Sequence, residues 1–166
     1  MKTSTLNDDV SPVNADDVTI RAATVSDVPD IVRLLWDDEQ GRARESVASD
    51  EADTYLSAFR RVEDDPNTQL FVALCDDVLV GCVQLTLIPG LSYRGIRRAL
   101  VEDVRVSGTC RGRGIGGLIL AHVEAVARKH GCELIELFVH GERDQAHRFY
   151  DKAGYAGAHR GFRKTL

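Results

Sequence analysis

Apolar residues recur along this chain with two periods, and the switches between them outline its elements. Val18-Thr19-Ile20-Arg21 alternates like a short strand. Ser26 then stands as the cap of a helix whose apolar side is Val28, Ile31, Val32, Leu34 and Leu35, fading near Asp38. Glu39 to Ser49 is polar. Tyr55, Leu56, Phe59 and Val62 mark a second helix from about Glu51 to Glu63, stopped by Pro66-Asn67. Leu70 to Cys75 and Val78 to Ile88 are β-rich runs, and Asp76-Asp77 between them reads as a tight hairpin. After a loop from Pro89 to Arg97, a third strand runs from about Arg98 to Val106. Ile115, Leu118, Ile119, Val123, Val126 and Ala127 then recur at helical spacing, with Gly131 where a helix ends. A strand from Glu133 to Val139 and a helix from Asp144 to Lys152 follow, and Gly154-Tyr155 opens a final pair of short strands ending near Leu166. Strands that both neighbour one another and alternate with helices predict an α/β (α+β) fold with a mixed sheet and helices on its faces.

At 166 residues, 43% hydrophobic and 28% charged, the chain has the size and composition of one globular domain, expected over residues 18–166. Residues 1–17 lack hydrophobic periodicity and read as a flexible tail without the apolar core of a signal peptide. No apolar run approaches the roughly 20 residues that span a bilayer, so a cytoplasmic protein with no membrane partner is expected. Cys75, Cys82, Cys110 and Cys132 lack the paired short spacings of a zinc site and read as reduced thiols, and no metal is expected. A net charge of -5 at pH 7 argues against a nucleic-acid partner.

The chemistry concentrates in Arg111-Gly112-Arg113-Gly114-Ile115-Gly116-Gly117, between the third strand and the long helix. Glycines let the backbone approach a ligand, the first NH groups of a helix have no partner within it, and two arginines add positive charge. The segment reads as a pyrophosphate cradle. A P-loop would end in Gly-Lys-Ser/Thr, whereas Gly116 is followed by Gly117 and Leu118. Gly112, Gly114 and Gly117 formally satisfy GxGxxG, but Ser107 to Arg111 separate them from the strand, and the next strand runs into His140-Gly141 without a carboxylate for a ribose.

The order Val101-Glu102-Asp103-Val104-Arg105-Val106, then Arg111 to Gly116, then Ala146 to Tyr155 with Phe149-Tyr150 and Gly154-Tyr155, resembles the GNAT superfamily of N-acetyltransferases over about residues 18–166. The run Ala146-His147-Arg148-Phe149-Tyr150 through His159 and Phe162-Arg163-Lys164 also resembles the aminoalkylphosphonate N-acetyltransferases. The resemblance implies a central mixed, mostly antiparallel sheet splayed in its middle, across which acetyl-CoA lies. It implies that the backbone of Val104, Arg105 and Val106 receives the acetyl carbonyl and pantetheine, and that Arg111, Gly112, Arg113, Gly114, Ile115 and Gly116 hold the pyrophosphate with help from Gly117. Glu102 matches a carboxylate that deprotonates the amine, directly or through water, with Asp103 as its competitor, since strand alternation lets only one of the two face the acetyl group. Tyr150 matches the tyrosine that protonates the departing thiolate; Phe149 packs beside it at the coenzyme's border. Arg143 stands where many relatives carry an asparagine and is expected to touch coenzyme phosphate or pantetheine.

The acceptor implied is a primary amine of a small molecule. Asp37, Asp38, Glu39, Glu45, Asp50 and Glu51 suit a cationic amine, Arg94, Arg97 and Arg98 suit a phosphonate or carboxylate, and both sets together suit a zwitterion. A peptide or protein amine is the alternative acceptor, and a non-catalytic acetyl-CoA sensor the alternative class. His122 and His130 read as structural, His147 and His159 as surface or substrate-contact residues. Val80 to Leu85 is apolar enough to lie near the contact of a homodimer.

Overall fold

The computed structural model describes residues 17–37, 39–141 and 143–166, and only the backbone of Glu39. Of the expected flexible tail it describes Asp17 alone. Strands β1 (Val18–Ala22), β2 (Thr68–Cys75), β3 (Val78–Ile88), β4 (Arg97–Val106) and β5 (Cys132–Leu137) form one sheet in the order β1-β2-β3-β4-β5. The first three pairings are antiparallel and β4 with β5 is parallel, so the sheet is mixed and mostly antiparallel, as expected. Helices α1 (Val28–Trp36) and α2 (Ala52–Glu63) cover one face; α3 (Ile115–Lys129) and α4 (Asp144–Lys152) pack on the other.

The predicted periods become two buried layers. Val83, Leu85 and Leu87 of β3 and Ala99 and Val101 of β4 meet Ile115, Ile119 and Val123 of α3, while Val72 and Cys82 meet Ile31 and Leu34 of α1 on the opposite face. Gly81 sits where β3 and β4 pass beneath α3: a Cβ there would lie 2.8 Å from Ile119 Cδ1 and 2.9 Å from the Arg105 carbonyl oxygen. The Asp76-Asp77 hairpin forms with both residues left-handed, at φ 49° and 62°, which is the twist a two-residue β-turn needs. Gly131 ends α3 at φ 73°.

Two expectations are corrected. Ser26 does not cap α1: it lies inside a short 3₁₀ turn, Val25–Asp27, that starts at Thr24, where Asp27 Oδ2 accepts from the Thr24 backbone NH at 2.7 Å and from its hydroxyl at 2.9 Å, and Asp27 is the residue before α1. Residues 154–166 form no strands, so the sheet ends at β5. Glycines at 154, 157 and 161 interrupt this segment, and its polar residues offer no continuous face to bury. Val80 to Leu85, the run expected near a contact between copies, lies on β3 between β2 and β4, with Val80, Cys82, Val83 and Leu85 buried.

Asp27 also accepts from Arg21 at 2.7 and 2.9 Å, tying β1 to α1. Chiefly through Arg21, its carboxyl is lowered from the ordinary 3.8 to about 2. The folded pKa is the lower one, so this stabilisation is complete above about pH 4 and is lost as pH falls toward 2. Asp27→Asn is expected to cost about 1–2 kcal/mol at neutral pH, less than a fully buried pair because Arg21 is half exposed, and to flatten the acid side of the stability curve. Urea unfolding at several pH values checks this.

Candidate active site

The decisive irregularity lies in β4. Its pairing with β5 ends at Val101 opposite Leu137, although β4 continues to Val106. The backbone from Glu102 to Val106 is therefore an open edge on that side, the expected splay. On the β3 side the register slips between Cys82 and Gln84, so that Gln84 faces Glu102 and Cys82 faces Arg105. The extra residue in β4 is a bulge, and Asp103 has φ 51°. This removes the premise that alternation admits only one of Glu102 and Asp103 to the site: Glu102 lies opposite Gln84, and Gln84 and Asp103 line the same cavity.

That cavity has a volume of about 130 Å³ and lies between α1, α2 and the sheet. Val28, Ile31, Val32 and Leu35 of α1 and Tyr55, Ala58, Phe59 and Val62 of α2 form its walls, and Leu70, Cys82, Gln84 and Asp103 its floor. The Cys82 thiol points to the Asp103 carbonyl oxygen at 3.7 Å. Burial, with a smaller push from Asp103 and against the pull of Arg105, moves this thiol up to about 12. It holds its proton at neutral pH and is not a nucleophile.

Beyond Val106 the chain makes a short turn, Gly108 to Cys110, and enters the glycine loop. Gly112 and Gly114 are left-handed, at φ 78° and 83°, and Gly114 is the N-cap of α3. These conformations turn the first NH groups of α3 toward the loop. Gly116 serves packing: a Cβ there would lie 3.0 Å from Phe149 Cζ, so the missing side chain admits the ring of α4, whereas Gly117 has nothing within 4 Å. Arg111 donates to the Val106 carbonyl at 3.2 Å, and its guanidinium lies 3.8 Å from Asp37, which accepts from the Gly108 NH at 3.0 Å. Asp37 thus links the end of α1 to the loop; Asp38 and the side chain of Glu39 lie outside the described residues. Val104 and Val106 are half-buried against the α3 layer.

Tyr150 is half-buried, with ring centroids 5.0 Å from Phe149 and 5.9 Å from Tyr155. Burial raises its phenol above the ordinary value, and the positive charges of Arg105 and Arg143 oppose that rise, so both arginines stand near the tyrosine. Arg105 Nε is buried without a hydrogen-bond partner among the described residues.

Several candidate substrate charges are engaged elsewhere. Arg97 donates to Asn67 at 3.0 Å and to the His130 carbonyl at 3.3 Å, Arg98 pairs with Glu136 at 2.7 Å, and Glu45 accepts from the Tyr55 hydroxyl at 3.1 Å. His122 packs edge-on against Phe71 at 4.8 Å, and burial lowers its pKa, consistent with a structural role. His147 Nε2 lies 3.2 Å from the His140 carbonyl.

An open strand edge thus leads into a glycine-lined helix N-terminus. The model of the acetyltransferase (GNAT) family matches residues 28–155, which contain all of it. The chain belongs to the GNAT family. Among curated relatives, it is 37% identical over 102 residues to the aminoalkylphosphonate N-acetyltransferase of Salmonella typhimurium, a match covering 61% of this chain and 66% of that protein. A transcriptional regulator from Bacillus halodurans superimposes with a TM-score of 0.87 at 37% identity, over 90% of this chain and 99% of that one. Glucosamine-6-phosphate N-acetyltransferase from Arabidopsis thaliana has a TM-score of 0.74 at 17% identity, over 90% and 98% of the two chains, and shares the fold. No helix among the described residues is long and apolar enough to cross a membrane.

Proposed function

We propose that this GNAT protein is an acetyl-CoA-dependent N-acetyltransferase that moves the acetyl group directly to a primary amine of a small molecule. The observation that carries this reading is the continuity of the β4 open edge with the glycine loop. The edge of β4 from Val104 through Arg105 to Val106, beyond the end of its pairing with β5, suits an extended, amide-bearing pantetheine arm, and the α3 N-terminus with Arg111 and Arg113 suits its pyrophosphate.

The residues divide the chemistry. An ammonium approaching the bulge meets Asp103 as counter-charge, and Glu102 takes the proton, directly or through water. The neutral amine attacks the thioester carbonyl, the carbon–sulfur bond breaks, Tyr150 donates its proton to the leaving thiolate, and the proton the nitrogen sheds on becoming an amide returns through solvent to the phenolate. A phenol held protonated by burial suits that step, and nearby Arg105 steadies the developing negative charge. Cys82, locked as a thiol, supports direct transfer over an acyl-cysteine.

Glu102→Gln is expected to bind acetyl-CoA unchanged while kcat at neutral pH falls on the order of 10²-fold, recovering partly at alkaline pH where the free amine is already neutral. Steady-state kinetics from neutral to alkaline pH check this, and full turnover throughout would remove Glu102 as the base.

A further inference from the structure

Resting on that reading, we infer that the acceptor is a primary amine carrying a compact apolar tail, a single aromatic ring or a short branched alkyl group, with the tail in the cavity beneath α1 and α2 and the ammonium at Asp103. The floor of the cavity crosses the sheet from Leu70 on β2, through Cys82 and Gln84 on β3, to Asp103 on β4. Its polar end therefore adjoins the open edge of β4, where the acetyl group would stand, and its walls on α1 and α2 are apolar apart from the Tyr55 hydroxyl, which is bonded to Glu45. Charge and shape complementarity point the same way: a carboxylate at the mouth and aliphatic and aromatic walls behind it fit a cation with an apolar tail.

Size narrows the class. A dry apolar cavity of about 150 Å³ accommodates benzene, so about 130 Å³ accepts one ring or a branched chain of similar bulk. Among the described residues, no arginine or lysine lines the cavity to receive a phosphonate or carboxylate. Arg97 and Arg98, the cations nearest in sequence to β4's start, are bonded to Asn67 and Glu136. The cavity thus departs from the zwitterion that the charged residues suggest in the sequence.

The test compares kcat/KM for 2-phenylethylamine and 3-methylbutylamine with that for ethanolamine and 2-aminoethylphosphonate, at saturating acetyl-CoA. Burial of the tail predicts an advantage of about 30-fold or more for the apolar amines. Ala58→Phe, which fills the cavity, is expected to abolish that advantage without changing acetyl-CoA affinity, and Leu35→Ala, which enlarges it, to shift preference toward longer tails. Preference for 2-aminoethylphosphonate, unmoved by either variant, overturns the inference and leaves the acetyltransferase reading standing. Acetyl-CoA binding with no acetylated product from any amine overturns both.

Discussion

Tyr150→Phe is expected to lower kcat by about 10²-fold or more with little change in acetyl-CoA affinity, the size of effect seen when a positioned general acid is removed. The ring remains, so its edge-on contacts with Phe149 and Tyr155 and the packing of α4 against the sheet persist. Only the proton for the thiolate is lost. Because burial raises the Tyr150 phenol above its ordinary value, the wild-type enzyme should show no loss of kcat from this group as pH rises toward about 10. The defect of the variant should also shrink with an acetyl thioester whose leaving thiol is more acidic, since such a thiolate departs without protonation. Parallel kinetics with the two donors check this, and an unaffected Tyr150→Phe removes the acid assignment.

The second large effect falls on binding. Gly114 caps α3 at φ 83°, a conformation that costs a β-branched residue about 1–3 kcal/mol. Gly114→Val relieves that strain by turning the loop away from the helix axis, which misaims the first NH groups of α3. Acetyl-CoA affinity is expected to fall about 10- to 100-fold by calorimetry, with the unfolding midpoint little changed because the loop is exposed. Gly117→Ala is the matched control: a Cβ there meets nothing within 4 Å, and its affinity should stay within about threefold of wild type.

Much of this site is legible in the sequence because local chemistry dictates it. The alternation in Val78 to Ile88, the Asp76-Asp77 turn, the helical spacing from Ile115 to Ala127 and the glycines that start and stop α3 are signals within a few residues of one another, and each forms as read. The features that were not legible depend on partners distant in sequence. The bulge at Asp103 involves no glycine and arises from the slip against Cys82 and Gln84, so alternation misjudges which carboxylates share the site. The cavity brings together residues from α1, α2 and strands β2, β3 and β4. Asp37, read as a substrate charge, is drawn to the Gly108 NH, and Arg98 to Glu136, because folding supplies partners that a linear sequence does not display. At the C-terminus the sequence suggests strands, but three glycines and the absence of a paired neighbour leave residues 154–166 irregular.

A two-substrate initial-rate study with acetyl-CoA and 2-phenylethylamine, following free thiol and the N-acetyl product by mass, separates direct transfer from an acyl-enzyme route. Direct transfer predicts equal amounts of the two products and intersecting double-reciprocal lines, with no acetylated protein. Parallel lines with an acetylated side chain would contradict direct transfer. Saturable acetyl-CoA binding with no product from this amine, aminoalkylphosphonates, polyamines, amino acids or short peptides would contradict the enzyme itself and favour a coenzyme sensor.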